Sequence, residues 1–219
     1  MVDLSVYDRT EGRRLAVHWH QGRAYVVGKP GNEYQVTVRS RLPEDVLTVV
    51  SVDGVNVISG ETADPGQTGY VLGSHRAYDI LGWRKSLAET AAFYFTALPD
   101  SYAARTGRPE NVGVIGVAVF RRKQPPVSIA PMSPTAPEAV AEKRAAAREE
   151  SRLGTGHGRR EASQVQHVAF ERATNAPAET VSLYYDSYRN LLARGIIHDP
   201  VPVATLPRPF PGFVPDPQP

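Results

Sequence analysis

Short runs of alternating hydrophobic and polar residues fill the first half of the chain, each closed by glycine, proline, aspartate or serine. Arg14 to His20 alternates loosely, Ala24 to Val27 is brief, and Glu33 to Arg39 sets Tyr34, Val36 and Val38 on one face, the period of two expected of a half-buried strand. Gly69 to Leu72, Ala77 to Leu81, Ala91 to Thr96 and the apolar run Val112 to Phe120 continue the series. About eight or nine short strands at this spacing, with no long amphipathic helix between them, predict an antiparallel β-sandwich or squat barrel over residues 1–123 and disfavour parallel α/β architecture. Jelly-roll and immunoglobulin-like arrangements both fit.

The sharpest local signal is the hairpin at residues 46–58, whose arms flank Asp53-Gly54. Both central positions of a type I′ turn need positive φ, which Asp and Gly tolerate best. A two-residue turn sets Val52 opposite Val55, Ser51 opposite Asn56, Val50 opposite Val57 and Val49 opposite Ile58. One face, Thr48, Val50, Val52, Val55 and Val57, is then apolar and belongs in the core. The other carries Leu47, Val49 and Ile58, so something must half cover it, while Ser51, Asp53 and Asn56 form an exposed polar tip.

Beyond Lys123 the pattern changes. Gln124-Pro125-Pro126 with Pro131, Pro134 and Pro137 reads as a stiff linker, followed by a polar Ala/Glu/Arg helix to about Arg152, together spanning 124–153. Residues 154–198 read as a small C-terminal element. Val165 to Phe170 is a possible strand, and Pro177 to Arg194 is predicted as a helix with Glu179 in its first turn and Gly195 past its end. Its stripe of Val181, Tyr184, Tyr185, Tyr188, Leu191 and Leu192 needs a seat, which the half-apolar hairpin face could provide. Residues 199–219 are proline-spaced and read as an extended tail.

Composition narrows the function classes. The chain has 219 residues, 41% of them hydrophobic, with 19 prolines, 18 glycines and a formal charge of +2. Divided at Lys123, it carries 15 basic and 13 acidic residues before the cut and 10 of each after it, which weighs against nucleic-acid binding through clustered cations. The absence of cysteine removes disulfides and thiolate chemistry. With no signal-like leader in Met1 to Arg14 and no apolar run of membrane-spanning length, the expectation is a cytoplasmic protein without a membrane span.

Two groups of residues could carry chemistry. Gly154-Thr155-Gly156-His157-Gly158-Arg159-Arg160-Glu161 offers glycines for backbone approach to an anion, two guanidiniums to pair with it, and His157 near Glu161 to move a proton. Its setting, after a polar helix and without Gly-Lys-Ser/Thr, equally suits a flexible hinge. His18 and His20 share a face of one strand, as metal ligands could, but no further ligand is singled out, so no metal or other cofactor is expected. Solvent-facing histidines opposite a buried Trp19 are the plainer account.

Two loops suit recognition. Gly82-Trp83-Arg84-Lys85-Ser86 sets an aromatic beside two cations, and residues 99–109 supply Tyr102, Arg105 and Arg108. For Trp83 the competing account is core packing, and for the second loop a solvated connection.

Ser-Val-Asp-Gly-Val-Asn-Val at 51–57, Gly-Trp-Arg-Lys-Ser at 82–86, Asp-Ser-Tyr-Ala-Ala-Arg-Thr-Gly-Arg-Pro at 100–109 and Gly-Thr-Gly-His-Gly at 154–158 resemble phrases of an uncharacterised bacterial protein family of unknown function with a β-sandwich-like fold. The resemblance spans most of the chain and implies a shared fold. It implies no activity, cofactor or catalytic residue.

The expected function is a non-catalytic binding or assembly module that recognises a protein, an extended ligand or a second copy of itself through Trp83, Arg84, Lys85, Tyr102, Arg105 and Arg108. The alternative is an enzyme acting on an anionic substrate with His157, Arg159, Arg160 and Glu161.

Overall fold

A computed structural model describes residues 1–124 and 152–198; the strap, polar helix and tail expected at 125–151 and 199–219 lie outside the described residues. In chain order the first strands are β1 (Val2–Asp8), β2 (Arg13–Arg14), β3 (Val17–His20), β4 (Arg23–Gly28), β5 (Glu33–Ser40), β6 (Val46–Val52) and β7 (Val55–Asn56). They are followed by β8 (Tyr70–Leu72), β9 (Ala77–Ile80), β10 (Gly82–Arg84), β11 (Glu89–Ala97), β12 (Val114–Arg121), β13 (Leu153–Ala162) and β14 (Glu179–Ser187). Two short helices, α1 (Tyr102–Arg105) and α2 (Tyr188–Ala193), complete the frame. No helix among the described residues is long and apolar enough to cross a membrane.

The strands form two packed sheets, a β-sandwich. One runs β10-β11-β5-β1-β2, with β13 also paired to β11 and β9 to β5. The other runs β3-β4-β14-β12-β6-β7, with β8 also paired to β6. Pairing is antiparallel except between β14 and β4, which run parallel.

The hairpin forms as its residues dictate. Asp53 and Gly54 have φ of 53° and 72°, and Ser51 faces Asn56 while Val52 faces Val55. Thr48, Val50, Val52, Val55 and Val57 are all buried. In register beside them stand Ile115, Val117 and Val119 of β12, and the opposite layer contributes Val6, Tyr34, Val36, Val38, Phe93 and Phe95 to the same core.

The outer face of the hairpin is covered, but not by the expected helix. Leu47, Val49, Ala118 and Phe120 are buried there beneath Val71 and Phe170. The Arg172 guanidinium stands 4.2 Å above the Phe120 ring and donates to the carbonyls of Pro65 (2.9 Å) and Gln67 (2.6 Å), which ties the lid down. The segment expected as a strand at Val165 to Phe170 has no regular structure; its Val165 amide bonds Leu87 O at 2.8 Å, and Phe170 is turned onto β12.

The helix expected over Pro177 to Arg194 is instead a nine-residue strand followed by a short helix. Thr180, Val181, Leu183 and Tyr185 favour the pleated backbone, and alternate residues Val181, Leu183 and Tyr185 pack on the core. Helix begins only at Ser187, whose hydroxyl caps it by accepting from Asn190 N at 3.2 Å, and ends before Gly195 at φ 65°. Leu191, Ile196 and Ile197 then seat against Tyr25 on the outer face of β4, with Tyr184 beside them.

If Phe170 is the lid, Phe170→Ala should lower unfolding free energy by about 1–3 kcal/mol in urea titrations, the cost of a partly buried aromatic and its cavity. An unchanged midpoint would show that the outer face needs no cover.

Candidate binding surface

Trp83 turns inward. It is 3% exposed, its Nε1 donates to Gly156 O at 3.1 Å, and its ring meets Phe93 edge-on at 5.1 Å. Arg84 is used internally as well: its guanidinium donates to Ser163 O, to Ser163 Oγ at 3.1 Å and to the Tyr70 hydroxyl at 3.3 Å. Arg108 braces its own loop by donating to Gly60 O at 3.0 Å and Thr106 Oγ1 at 2.8 Å. Three of the six residues expected to bind are therefore occupied in holding the frame.

The others converge. Ser101 Oγ accepts from Ala104 N at 3.1 Å, the N-cap that starts α1, and α1 lays Tyr102 against Trp83 (4.8 Å between rings) and against His157 of β13 (5.8 Å). The glycine-rich stretch is no hinge but part of β13. A Cβ on Gly156 would lie 2.2 Å from the Tyr94 ring, and one on Gly154 2.6 Å from Ser101, so packing against neighbours accounts for those glycines.

His157 is exposed, with Lys85, Arg105 and Arg160 around it; partial burial first, then the charges of Lys85, Arg160 and Arg105, hold its pKa below the usual 6.5. Arg160 has a loose ion pair with Glu89 at 3.7 Å, and Lys85 and Arg105 have no ion pair among the described residues. The result is a cationic surface around two neighbouring rings, Tyr102 and His157, tilted by 31° to each other.

Glu161 does not reach His157. The register between β11 and β13 slips between Ala91 and Phe93, so that His157 pairs with Phe93 and Arg160 with Ala91. Such a bulge puts His157 and Arg160 on one face and Arg159 and Glu161 on the other. There Arg9 clasps Glu161 with two bonds of 2.7 Å, and Arg159 clasps Glu33 at 2.8 and 2.9 Å. The Arg159 guanidinium beside Glu33 lowers that carboxyl's pKa. The proton-moving pair expected from the spacing is not formed, because the bulge breaks the alternation.

His18 and His20 are half-buried on β3, and Trp19 between them is 73% exposed, the reverse of the expected arrangement. β3 is the margin of its sheet, and although Trp19 and Val17 share the face of Ala24 and Val26, they are left uncovered there. No group of three or more metal-type ligands occurs among the described residues.

The hairpin tip, expected to be exposed, is the centre of a buried polar network. Asp53 is fully buried. Its Oδ1 accepts from Gly113 N at 2.9 Å and from the Tyr185 hydroxyl, and its Oδ2 accepts from Thr155 N at 2.8 Å. Thr155 Oγ1 lies 2.6 Å from the hydroxyls of both Tyr185 and Tyr34. Since the Tyr185 proton goes to the carboxylate, Thr155 donates to Tyr185 and Tyr34 donates to Thr155. Asn56 is also buried, its side chain bonded to Ile58 N, Gln67 and Thr68 O.

Sequence reasoning missed this network because its partners lie 60 to 132 residues from Asp53. The sequence marks Tyr34 and Tyr185 for packing and Thr155 as part of the glycine-rich stretch, and joins none of them to Asp53. Comparison with known proteins finds no matching family model, no matching curated protein and no matching solved structure.

Burial outweighs the hydrogen bonds and raises the Asp53 pKa from 3.8 to about 6. The folded state therefore holds this proton at a pH where the unfolded chain has released it. The contribution to stability grows as pH falls through about 6 toward 3.8, by up to about 3 kcal/mol. Urea titrations at about pH 7.5 and about pH 5 should show the higher stability at the lower pH from this group. Asp53→Asn should flatten that slope and cost about 1–3 kcal/mol, since an amide offers one acceptor where three donors converge. A slope that survives in the variant would assign the effect elsewhere.

Proposed function

We propose that the protein is a non-catalytic binding module that holds an acidic segment of a protein partner on the surface formed by Lys85, Tyr102, Arg105, His157 and Arg160. The observation that carries this reading is the gathering of three cations around the Tyr102–His157 ring pair, with Glu89 their one ion-paired carboxylate among the described residues. Carboxylates brought there meet Lys85 and Arg105, which have no ion pair among the described residues, and the half-buried Tyr102 and exposed His157 rings provide apolar contact, the usual composition of an interface anchor. The elements beneath are fixed by Trp83, Arg84 and Arg108, so the surface is preorganised.

The scaffold favours binding over proton-transfer chemistry in one further respect. His157 has cations rather than a carboxylate beside it, and its depressed pKa leaves it neutral near pH 7. Acidification adds its charge to the surface.

Affinity capture from the native cell tests the reading, comparing wild type with a Lys85→Glu, Arg105→Glu double variant. Neither side chain has an ion pair to lose among the described residues, so thermal stability should stay close to that of wild type. The partner should be recovered by wild type at low salt, weaken as salt is raised over a few hundred mM and the Debye length falls below about 8 Å, and be lost from the variant. Equal recovery by both proteins would overturn the reading. Capture should strengthen as pH falls below 6.5, and His157→Gln should remove that dependence.

A further inference from the structure

At the other end of β13 lies a cleft of about 590 Å³, between α2, the outer face of β4 and β14, and the turn before β12. Its size is that of a small-molecule site. Two guanidiniums, Arg152 and Arg194, and two carboxylates, Glu110 and Asp186, line it, together with Tyr25, Tyr184, Asn111 and Asn190.

Asp186 is the informative member. Its side chain is 7% exposed, and Oδ1 is saturated, accepting from Ser187 N (2.8 Å), Asn190 Nδ2 (2.7 Å) and Leu153 N (3.3 Å). Oδ2 has, among the described residues, only the Arg194 guanidinium at 3.6 Å, beyond hydrogen-bond reach. Oδ2 therefore keeps its capacity to accept from an entering cation. Arg194 is itself only loosely held, half-exposed with its guanidinium 5.6 Å from the Tyr25 ring centre. Arg152 makes no ion pair or side-chain hydrogen bond among the described residues.

A purely anionic ligand would meet Asp186 and Glu110, and a purely cationic one would meet Arg152 and Arg194. A ligand with both charges satisfies both pairs. We infer that the cleft binds a small zwitterion of the amino-acid or short-peptide class, with its ammonium on Asp186 Oδ2 and its carboxylate on Arg152 and Arg194. Tyr25 and Tyr184, with rings 5.4 Å apart, form the wall along which the body of the ligand lies. This site is separate from the cationic surface around His157 and does not depend on it.

The test is calorimetric titration of the full chain with the twenty free L-amino acids and a panel of dipeptides, each tried alone. At least one should bind with a Kd of about 1 mM or tighter. Acetylating its amine and amidating its carboxylate should each weaken binding about tenfold or more, the scale of a lost charge-assisted contact. Arg152→Gln, on the rim and outside the packed core, should reproduce the loss caused by amidation and leave the amidated ligand no weaker than in wild type. No binding by any member at about 10 mM overturns the inference. So does equal binding of the blocked derivatives, or full affinity in Arg152→Gln.

Discussion

A single carboxylate sets the terms on which the two sheets meet. Asp53 stands at the turn of one sheet's hairpin, with Thr155 of the other sheet on one oxygen and Tyr185 and Gly113 on the other. An unpaired charge at that depth would cost several kcal/mol, so the sandwich is consistent only when β13 and β14 are both in place to solvate it. The hydroxyls of Tyr185, Thr155 and Tyr34 all point their protons toward it, which gives the core a polarity as well as a shape. Apolar packing supplies adhesion between the layers but would tolerate sliding. The network admits one alignment.

The same principle of internal use explains which cations are available at the surface. Arg84, Arg108 and Arg172 donate to backbone carbonyls and hydroxyls, and Arg9 and Arg159 are clasped by carboxylates. Lys85 and Arg105 have no such duty among the described residues, and they stand beside the ring pair made by Tyr102 and His157. The one-residue slip in β13 decides this partition, since it sends Arg160 to the cationic face and Glu161 to the opposite one.

What could be read from the residues in advance was what depends on near neighbours. The Asp53-Gly54 turn, the core face of its arms and the β-sandwich class follow from φ preferences and a period of two, and all three hold. The stretch from Pro177 misled because Tyr184, Tyr185, Tyr188 and Leu191 satisfy a helical stripe while Val181, Leu183 and Tyr185 satisfy a strand, and burial between β4 and β12 decides between them. The recognition loops were legible as residue types, but whether a given arginine faces solvent or a carbonyl depends on segments far away in the chain. Asp53 itself looked like a solvated turn residue because its ligands come from the chain's other end.

The position of β14 carries a consequence for how the protein is made. It lies between β4 and β12, parallel to the first and antiparallel to the second, although it is the last strand of the described chain. Until it emerges from the ribosome, its sheet exists as two separate ribbons with open edges, and the hairpin's carboxylate has no tyrosine. Closure of the sheet therefore waits until more than 130 residues after Asp53 have been synthesised. Such late, long-range closure is slow and leaves sticky edges exposed in the meantime. A chain cut before β14 would leave the edges of β4 and β12 open and Asp53 without Tyr185.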